Sequence, residues 1–265
     1  MSNRLRMEVV IQGFPGKTLL GSLSWSSVVY VEAGKHKILF DTGGPSKRGR
    51  LKQHLGNIGV APEDITMLIL SHFHDDHVRN YDYFPQAEIV MHEKEYEWGR
   101  SRPVSSFAFP EVYFEVIQKT RRVSLIRKDE EIAPGVCTLF APGHTPGSMA
   151  LVLRVPDMPV TVLAGDAVKN MAELATAAVD MSLDNSLSSA SIRAIRDIAE
   201  IVVPGHDRIL KVEQNAISAV TEAREGVLVP PDVMEPGKKV LLDLVVPITA
   251  MPITPCIPNC PCTPN

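Results

Sequence analysis

Five short apolar runs of the sequence each lead into an aspartate or a histidine. Their lengths and their content of Val, Ile and Leu are typical of β-strands. Sites in sheet proteins gather where strands end, because loops converge there while the strands hold them rigidly. We therefore expect five side chains to meet at one edge of the fold. The runs are KILF (37–40), TMLIL (66–70), CTLFAPG (137–143), VTVLAG (160–165) and IVVPG (201–205), and the residues are Asp41, His72, His144, Asp166 and His206.

The segment HFHDDH (72–77) places three histidines and two aspartates within six residues. His72 and His74 are two apart in extended chain and project to one side, and Asp76 and His77 come where a helix is expected to begin. Imidazole and carboxylate are preferred ligands of Zn²⁺ and related cations, and without a metal this cluster would cost a large desolvation energy beside a core. Three more residues supply further ligands: His144, His206 and Asp166. Together with the histidines and Asp76 of the segment, they are enough to bind two ions with one carboxylate between them.

The remaining histidines fall outside this pattern and are expected to have ordinary structural roles: His36, His54 and His92.

The chain length and composition allow one large domain, since 265 residues with 45% hydrophobic content can bury a sizeable core. Mixed strands and helices over this length predict an α/β (α+β) sandwich with sheets inside and helices outside. Helices are predicted over 46–58, 75–84, 186–200 and 212–227. The region 93–122 is weakly periodic and is expected to pass over the site with its aromatic residues: Trp98, Phe107, Phe109, Tyr113 and Phe114.

The C-terminal part of the chain is rich in proline and cysteine. We divide the chain into a domain over 1–228 and an extension over 229–265. Cys256, Cys260 and Cys262 lie within seven residues, where they could bind a metal, form a disulfide, or belong to an extended, weakly ordered end. Cys137 is alone in an apolar run and is expected to be a small buried hydrophobe.

Charge and hydropathy restrict the partners. The formal net charge of −4 creates no general attraction for nucleic acid, although the basic stretch SKRGRLK (46–52) leaves that partner open. No apolar run is long enough to span a membrane, and the N-terminus lacks the features of a signal peptide. We expect a cytoplasmic protein that acts on a small-molecule substrate, and we leave open whether it forms a homo-oligomer.

Five motifs of the sequence resemble those of the metallo-β-lactamase superfamily and occur in the same order along the chain. They are FDTG (40–43), HFHDDH (72–77), PGHTPGS (142–148), AGD (164–166) and PGHD (204–207). Within it, VVPGHD and LAGDAV are most similar to small prokaryotic hydrolases and the metallo-β-lactamase domain-containing protein 1 group. The resemblance implies a four-layer αββα sandwich that binds two divalent ions. Zn²⁺ is the metal we expect, and Fe and Mn are the alternatives.

The resemblance also implies a role for each site residue. The first ion would be held by His72, His74 and His144, and the second by Asp76, His77 and His206. Asp166 would bridge the ions, and Asp41 would hold one of the ligands from behind. Asp76 and Asp166 are the residues we expect to take part in catalysis.

Some positions depart from particular branches of the superfamily. His74 stands where flavodiiron oxygen reductases carry Glu, and Asp166 stands where zinc β-lactamases use Cys. Lys169 stands where acyl-homoserine lactonases carry Tyr, so it would meet either an anionic group of a substrate or water. Arg79 follows the long motif and is expected to face solvent.

Three functions remain open from the sequence. The first is hydrolysis of a carboxylic ester, thioester or lactone by a metal-bound hydroxide, with Asp76 or a bound water passing the proton to the leaving group. The second is phosphodiester hydrolysis, including RNA cleavage, at the same ions. The third is metal binding without catalysis.

Overall fold

Two β-sheets form the middle of the structure. The computed structural model describes residues 5–19, 21–101, 108–156, 158–229 and 240–254. The strands are β1 (Arg6–Ile11), β2 (Lys17–Thr18), β3 (Gly21–Ser22), β4 (Val28–Ala33), β5 (His36–Phe40), β6 (Met67–Ile69), β7 (Glu88–His92), β8 (Val123–Ile126), β9 (Glu131–Ala133), β10 (Val136–Phe140), β11 (Met149–Leu153), β12 (Thr161–Gly165), β13 (Ile201–Pro204), β14 (Leu210–Val212), β15 (Ala216–Ala219), β16 (Arg224–Val229), β17 (Val240–Val245) and β18 (Ala250–Pro252).

The first half of the chain forms one sheet and the second half the other. The first sheet has the order β1-β4-β5-β6-β7-β8, and its strands from β5 to β8 run parallel. The second has the order β18-β15-β14-β13-β12-β11-β10-β9, in which β12 and β13 are the parallel pair. Each sheet therefore contains parallel strands, and the carboxyl ends of those strands point the same way.

Helices lie on the outer faces of the sheets. They are α1 (Arg48–Asn57), α2 (Asp75–Val78), α3 (Glu93–Arg100), α4 (Glu111–Thr120), α5 (Met171–Thr176) and α6 (Asn185–Ile198), with short 3₁₀ turns at Pro45–Lys47, Pro62–Asp64 and Tyr81–Tyr83. The helix predicted over 212–227 is wrong, because β14, β15 and β16 occupy that stretch. Pairing of β14 with β13, and of β15 with β18, overrides the local helical preference.

Three clusters of buried side chains define four layers. One cluster lies between the sheets and joins Val31 and Ile69 of the first to Leu151 and Leu163 of the second. A second joins the first sheet to α1 and α4. A third joins the second sheet to α5 and α6. The architecture is the predicted αββα sandwich.

The chain beyond residue 229 still pairs with the rest of the fold where it is described. β17 forms a hairpin with β16, and β18 extends the second sheet along β15. The division at 228/229 stays a prediction. Phe107, Cys256, Cys260 and Cys262 lie outside the described residues. Cys137 is partly exposed on β10 rather than fully buried.

Among the described residues, we find no helix with the length and apolar content needed to cross a membrane. The cytoplasmic location stays a prediction.

Candidate metal centre

The carboxyl ends of the two parallel strand pairs meet at one edge of the sandwich. Asp41 directly follows β5, and His72 follows its parallel neighbour β6. Asp166 directly follows β12, and His206 follows its parallel neighbour β13. Backbone contacts join the two sheets here: Met149 N donates to the Ser71 carbonyl at 2.8 Å, and Ser27 N donates to the Gly205 carbonyl at 2.7 Å. The strand-end residues are thus brought together on a rigid seam.

All seven predicted ligands lie in one cluster. Its members form three overlapping groups whose ligand atoms lie within 4.8 Å of one another: His72, His74 and His144; His72, His77 and Asp166; and Asp76, His77 and His206. The first and third of these are the two ligand sets that the sequence resemblance implies. We call them the three-histidine group and the Asp–His–His group.

Asp166 faces both groups. Its Oδ2 lies 3.3 Å from His144 Nε2, whereas its Oδ1 lies 3.3 Å from both His77 Nε2 and His206 Nε2. In the Asp–His–His group, Asp76 Oδ2 lies 3.3 Å from His206 Nε2 and 3.8 Å from His77 Nε2. A carboxylate with one oxygen toward each group fits a bridging ligand.

Several ligand-type atoms are buried without a hydrogen bond. Within the described part of the chain, His72 Nε2, His77 Nε2 and Asp166 Oδ1 have no partner with hydrogen-bond geometry. Leaving buried polar atoms unpaired costs free energy, so such a concentration indicates a missing partner. Each atom belongs to a group with metal-ligand chemistry, and one cation can accept lone pairs from several of them at once. The residues therefore fit a pair of divalent ions.

Burial keeps the three-histidine group neutral. It lowers the pKa of His72 and His144 well below the usual value, and it lowers the pKa of His74 to about 4. Neutral imidazole is the form that binds metals.

The Asp–His–His group has the opposite electrostatics. Burial acts to lower the pKa of His77 and of His206, but the charges of Asp166 and Asp76 outweigh it and raise both values. Burial likewise acts to raise the pKa of Asp166, but His206, His77 and His144 hold it well below its usual value. A cation bound here must displace protons from imidazoles.

A buried network orients two of the histidines. Asp41 Oδ2 lies 2.7 Å from both His77 Nδ1 and Ser71 Oγ, and Asp41 Oδ1 accepts from Ser71 N at 2.7 Å. Because Ser71 Oγ donates to Asp41, it accepts from His72 Nδ1 at 2.9 Å. With both Nδ1 atoms protonated, the Nε2 atoms of His72 and His77 are left to face an ion. Asp41 thus contacts one of the predicted ligands, and its role behind a bound ion stays a prediction. The sequence did not point to Ser71.

Other side chains border the centre. The Trp98 ring centroid lies 6.1 Å from that of His74, so the 93–122 region does bring an aromatic residue to the site. Lys169 Nζ lies 2.8 Å from Glu173 Oε1, and both side chains are largely buried. Arg79 is partly exposed, pairs with Asp75 at 2.8 Å and lies over the Tyr113 ring. Two of the other histidines have structural contacts, since His54 bonds the Val10 carbonyl and His92 caps α3. His36 pairs with Ala33 in the strand register of β5 with β4.

Comparison with known proteins agrees with this geometry. The sequence model of the Metallo-beta-lactamase superfamily matches residues 24–206. The chain therefore belongs to this superfamily, and it is a metal-dependent hydrolase.

The relatives of known name include two groups. Metallo-beta-lactamase domain-containing protein 1 of Mus musculus is 28% identical over 195 residues, which cover 73% of this chain and 68% of that protein. N-acyl homoserine lactonase of Bacillus cereus is 28% identical over 166 residues, which cover 61% of this chain and 64% of that protein.

Solved structures share the fold. A quorum-quenching N-acyl homoserine lactone lactonase superposes with a TM-score of 0.60 at 23% identity, covering 77% of this chain and 91% of its own. The dizinc lactonase AidC superposes with a TM-score of 0.59 at 19% identity, covering 71% of this chain and 76% of its own.

Proposed function

We propose that this protein hydrolyses a carboxylic ester, thioester or lactone at a centre of two divalent ions, with Zn²⁺ as the metal. The observation that carries the proposal is the position of Asp166, whose two oxygens face two different sets of ligands. Bound ions would supply an activated water and a Lewis acid for the substrate carbonyl.

The chain's own residues would bind and orient the substrate and would protonate the leaving group. Asp76 is the most exposed of the cluster's carboxylates, with 38% of its side chain accessible, against 6% for Asp166. It is therefore the group that reaches a leaving oxygen most easily, and we assign it the proton transfer. Trp98 offers an apolar surface beside His74, which suits an acyl or aryl group.

The electrostatics favour an ester or lactone over a nucleic acid. Three cations of the basic stretch 46–52 are already engaged: Lys47 lies over the Trp25 ring, Arg48 pairs with Asp82, and Arg50 pairs with Glu225. A phosphodiester polymer needs cations that are available to its backbone. The relatives named as lactonases support the same choice.

The test is metal analysis combined with a substrate panel. The purified protein, loaded separately with Zn²⁺, Fe²⁺ and Mn²⁺, is assayed on aryl esters, lactones, glutathione thioesters and bis-aryl phosphodiesters. We expect two ions per chain and turnover of an ester, thioester or lactone. His72→Ala and Asp166→Ala should lose bound metal and turnover while remaining folded, whereas His36→Ala is the matched control outside the site.

Three outcomes would contradict the proposal. Preferred turnover of the phosphodiester would favour the nuclease alternative. Two bound ions without turnover of any member of the panel would favour a metal-binding protein. Full activity in His72→Ala or Asp166→Ala would overturn the ligand assignment.

A further inference from the structure

A fully buried carboxylate lies behind the three-histidine group. Glu95 is the third residue of α3 and has no exposed surface. It belongs to none of the groups of described residues that could hold an ion. A buried glutamate costs free energy unless hydrogen bonds satisfy it, so its partners indicate its role.

Glu95 accepts hydrogen bonds from two distant loops. Phe73 N donates to Glu95 Oε1 at 2.8 Å, and Thr145 Oγ1 donates to Glu95 Oε2 at 2.7 Å. Gly147 N also donates to Oε2, at 3.0 Å. Phe73 stands between His72 and His74, and Thr145 directly follows His144. One carboxylate therefore fixes the backbone beside every member of the three-histidine group.

The approach of the second loop to α3 is very close. A Cβ atom on Gly147 would lie 2.0 Å from Glu95 N and 2.5 Å from Glu95 Cα. The loop is held internally as well, because Thr145 N donates to Ser148 Oγ at 3.0 Å. Burial raises the pKa of Glu95 to about 7, while the three donors act to lower it.

Among the residues that the structure describes, no comparable contact of Glu95 reaches the other candidate ligands. Glu95 bonds to neither Asp76, His77 nor His206, and the described partners of its carboxylate all belong to the loops of the three-histidine group. A defect at Glu95 should therefore act on one half of the centre.

We propose that Glu95 is a positioning residue for the three-histidine half of the metal centre. It holds the loop of His72 and His74 in register with the loop of His144, so that three nitrogens converge on one ion. This inference rests on the proposed function, since it presumes that the group binds a metal.

The test compares Glu95→Gln in two backgrounds. His206→Ala removes a ligand of the Asp–His–His group, and His144→Ala removes one of the three-histidine group. Glutamine keeps the shape of glutamate but replaces one oxygen by an NH₂, which must face either Phe73 N–H or the Thr145 and Gly147 donors. The readout is Zn²⁺ affinity, measured by competition with a chromogenic chelator.

In the His206→Ala background, we expect Glu95→Gln to weaken Zn²⁺ binding by about tenfold or more, the usual effect of losing an outer-shell partner. In the His144→Ala background, we expect no change. Glu97→Gln, an exposed position on the same helix, is the control and should leave both affinities unchanged. Unchanged affinity in the first background, or an equal loss in both, would overturn the inference.

Two further results separate the possible failures. If Glu95→Gln does not fold, Thr145→Val and Thr145→Ser replace it. Valine removes the hydroxyl donor and should weaken the three-histidine group, whereas serine keeps the hydroxyl and should restore binding; equal affinities of the two overturn the inference. A wild-type protein that binds no Zn²⁺ overturns the proposed function too, whereas normal wild-type binding with an unaffected Glu95→Gln overturns the inference alone.

Discussion

Asp41 Oδ2 lies 2.7 Å from His77 Nδ1, and this contact determines which nitrogen of His77 faces the metal centre. Asp41 has a positive φ of 59°, a conformation that asparagine also tolerates, so Asp41→Asn keeps the backbone but removes the charge. We expect Asp41→Asn to lower metal affinity by about 10- to 100-fold, as for other partners of ligating histidines.

Metal titration of Asp41→Asn checks this expectation. Asp197→Asn, at an exposed position on α6, is the matched control and should bind metal as the wild type does. Equal affinities for the two variants would show that Asp41 does not orient His77.

The two halves of the centre should release different numbers of protons when they bind Zn²⁺. In the ion-free protein the charges of Asp166 and Asp76 raise the pKa values of His77 and His206 although burial opposes this, so these imidazoles keep their protons to a higher pH than an ordinary histidine does. Burial lowers the pKa values of His72 and His144 well below the usual value, so these imidazoles are neutral. As the pH falls, the Asp–His–His group should therefore lose affinity first.

Calorimetry in buffers of different ionisation enthalpy counts these protons. His144→Ala reports the Asp–His–His group and His206→Ala reports the three-histidine group. At pH 7, we expect the larger release from His144→Ala. An equal release from both variants is the outcome that contradicts the electrostatic difference.

The close approach of Gly147 to α3 predicts a packing defect on substitution. In Gly147→Ala the new Cβ would meet the backbone of Glu95, which cannot move without displacing the helix. We expect a loss of about 1–3 kcal/mol in the free energy of unfolding, as for other overpacked sites. Urea denaturation measures it. Gly49→Ala, in α1 with open space around it, should instead be neutral or stabilising.

Arg208 anchors the segment that leads to the last described strand. Its side chain is buried, and it donates through Nη1 to the Val246 carbonyl at 3.0 Å and through Nη2 to the Ile248 carbonyl. Arg208→Met removes both hydrogen bonds from the charged guanidinium to these carbonyls, so we expect a loss of about 2–3 kcal/mol in the free energy of unfolding.

Limited proteolysis should then cut the Arg208→Met variant faster after residue 223. Arg154→Met, at an exposed position, is the control for charge removal. Identical cleavage rates for the two variants would show that the arginine does not hold the segment.

Much of the centre is readable in the sequence because its ligands are local or strand-terminal. The HFHDDH segment shows four of them directly, and Asp166 and His206 are marked by the apolar runs before them. Ser71 and Glu95 leave no such signal. Glu95 belongs to a short charged helix, and its partners are 22, 50 and 52 residues away in sequence. Its burial depends on tertiary packing that a local pattern does not contain.

The predicted helix over 212–227 fails for the same physical reason. Its residues have reasonable helical preferences, but β14 gains backbone hydrogen bonds from β13 and β15 gains them from β18. Those partner strands lie before and after the segment in sequence, so the conformation of the segment depends on tertiary contacts and not on local preference.

The ligands are divided between the two sheets, and this division sets an order of events during synthesis. A nascent chain that has reached Ile126 contains the first sheet and four of the seven candidate ligands, but neither the three-histidine group nor the Asp–His–His group is complete in it. Capture of an ion by a complete group would therefore wait until the ribosome has delivered the second half and the two sheets have met, so metal uptake would report on completed assembly.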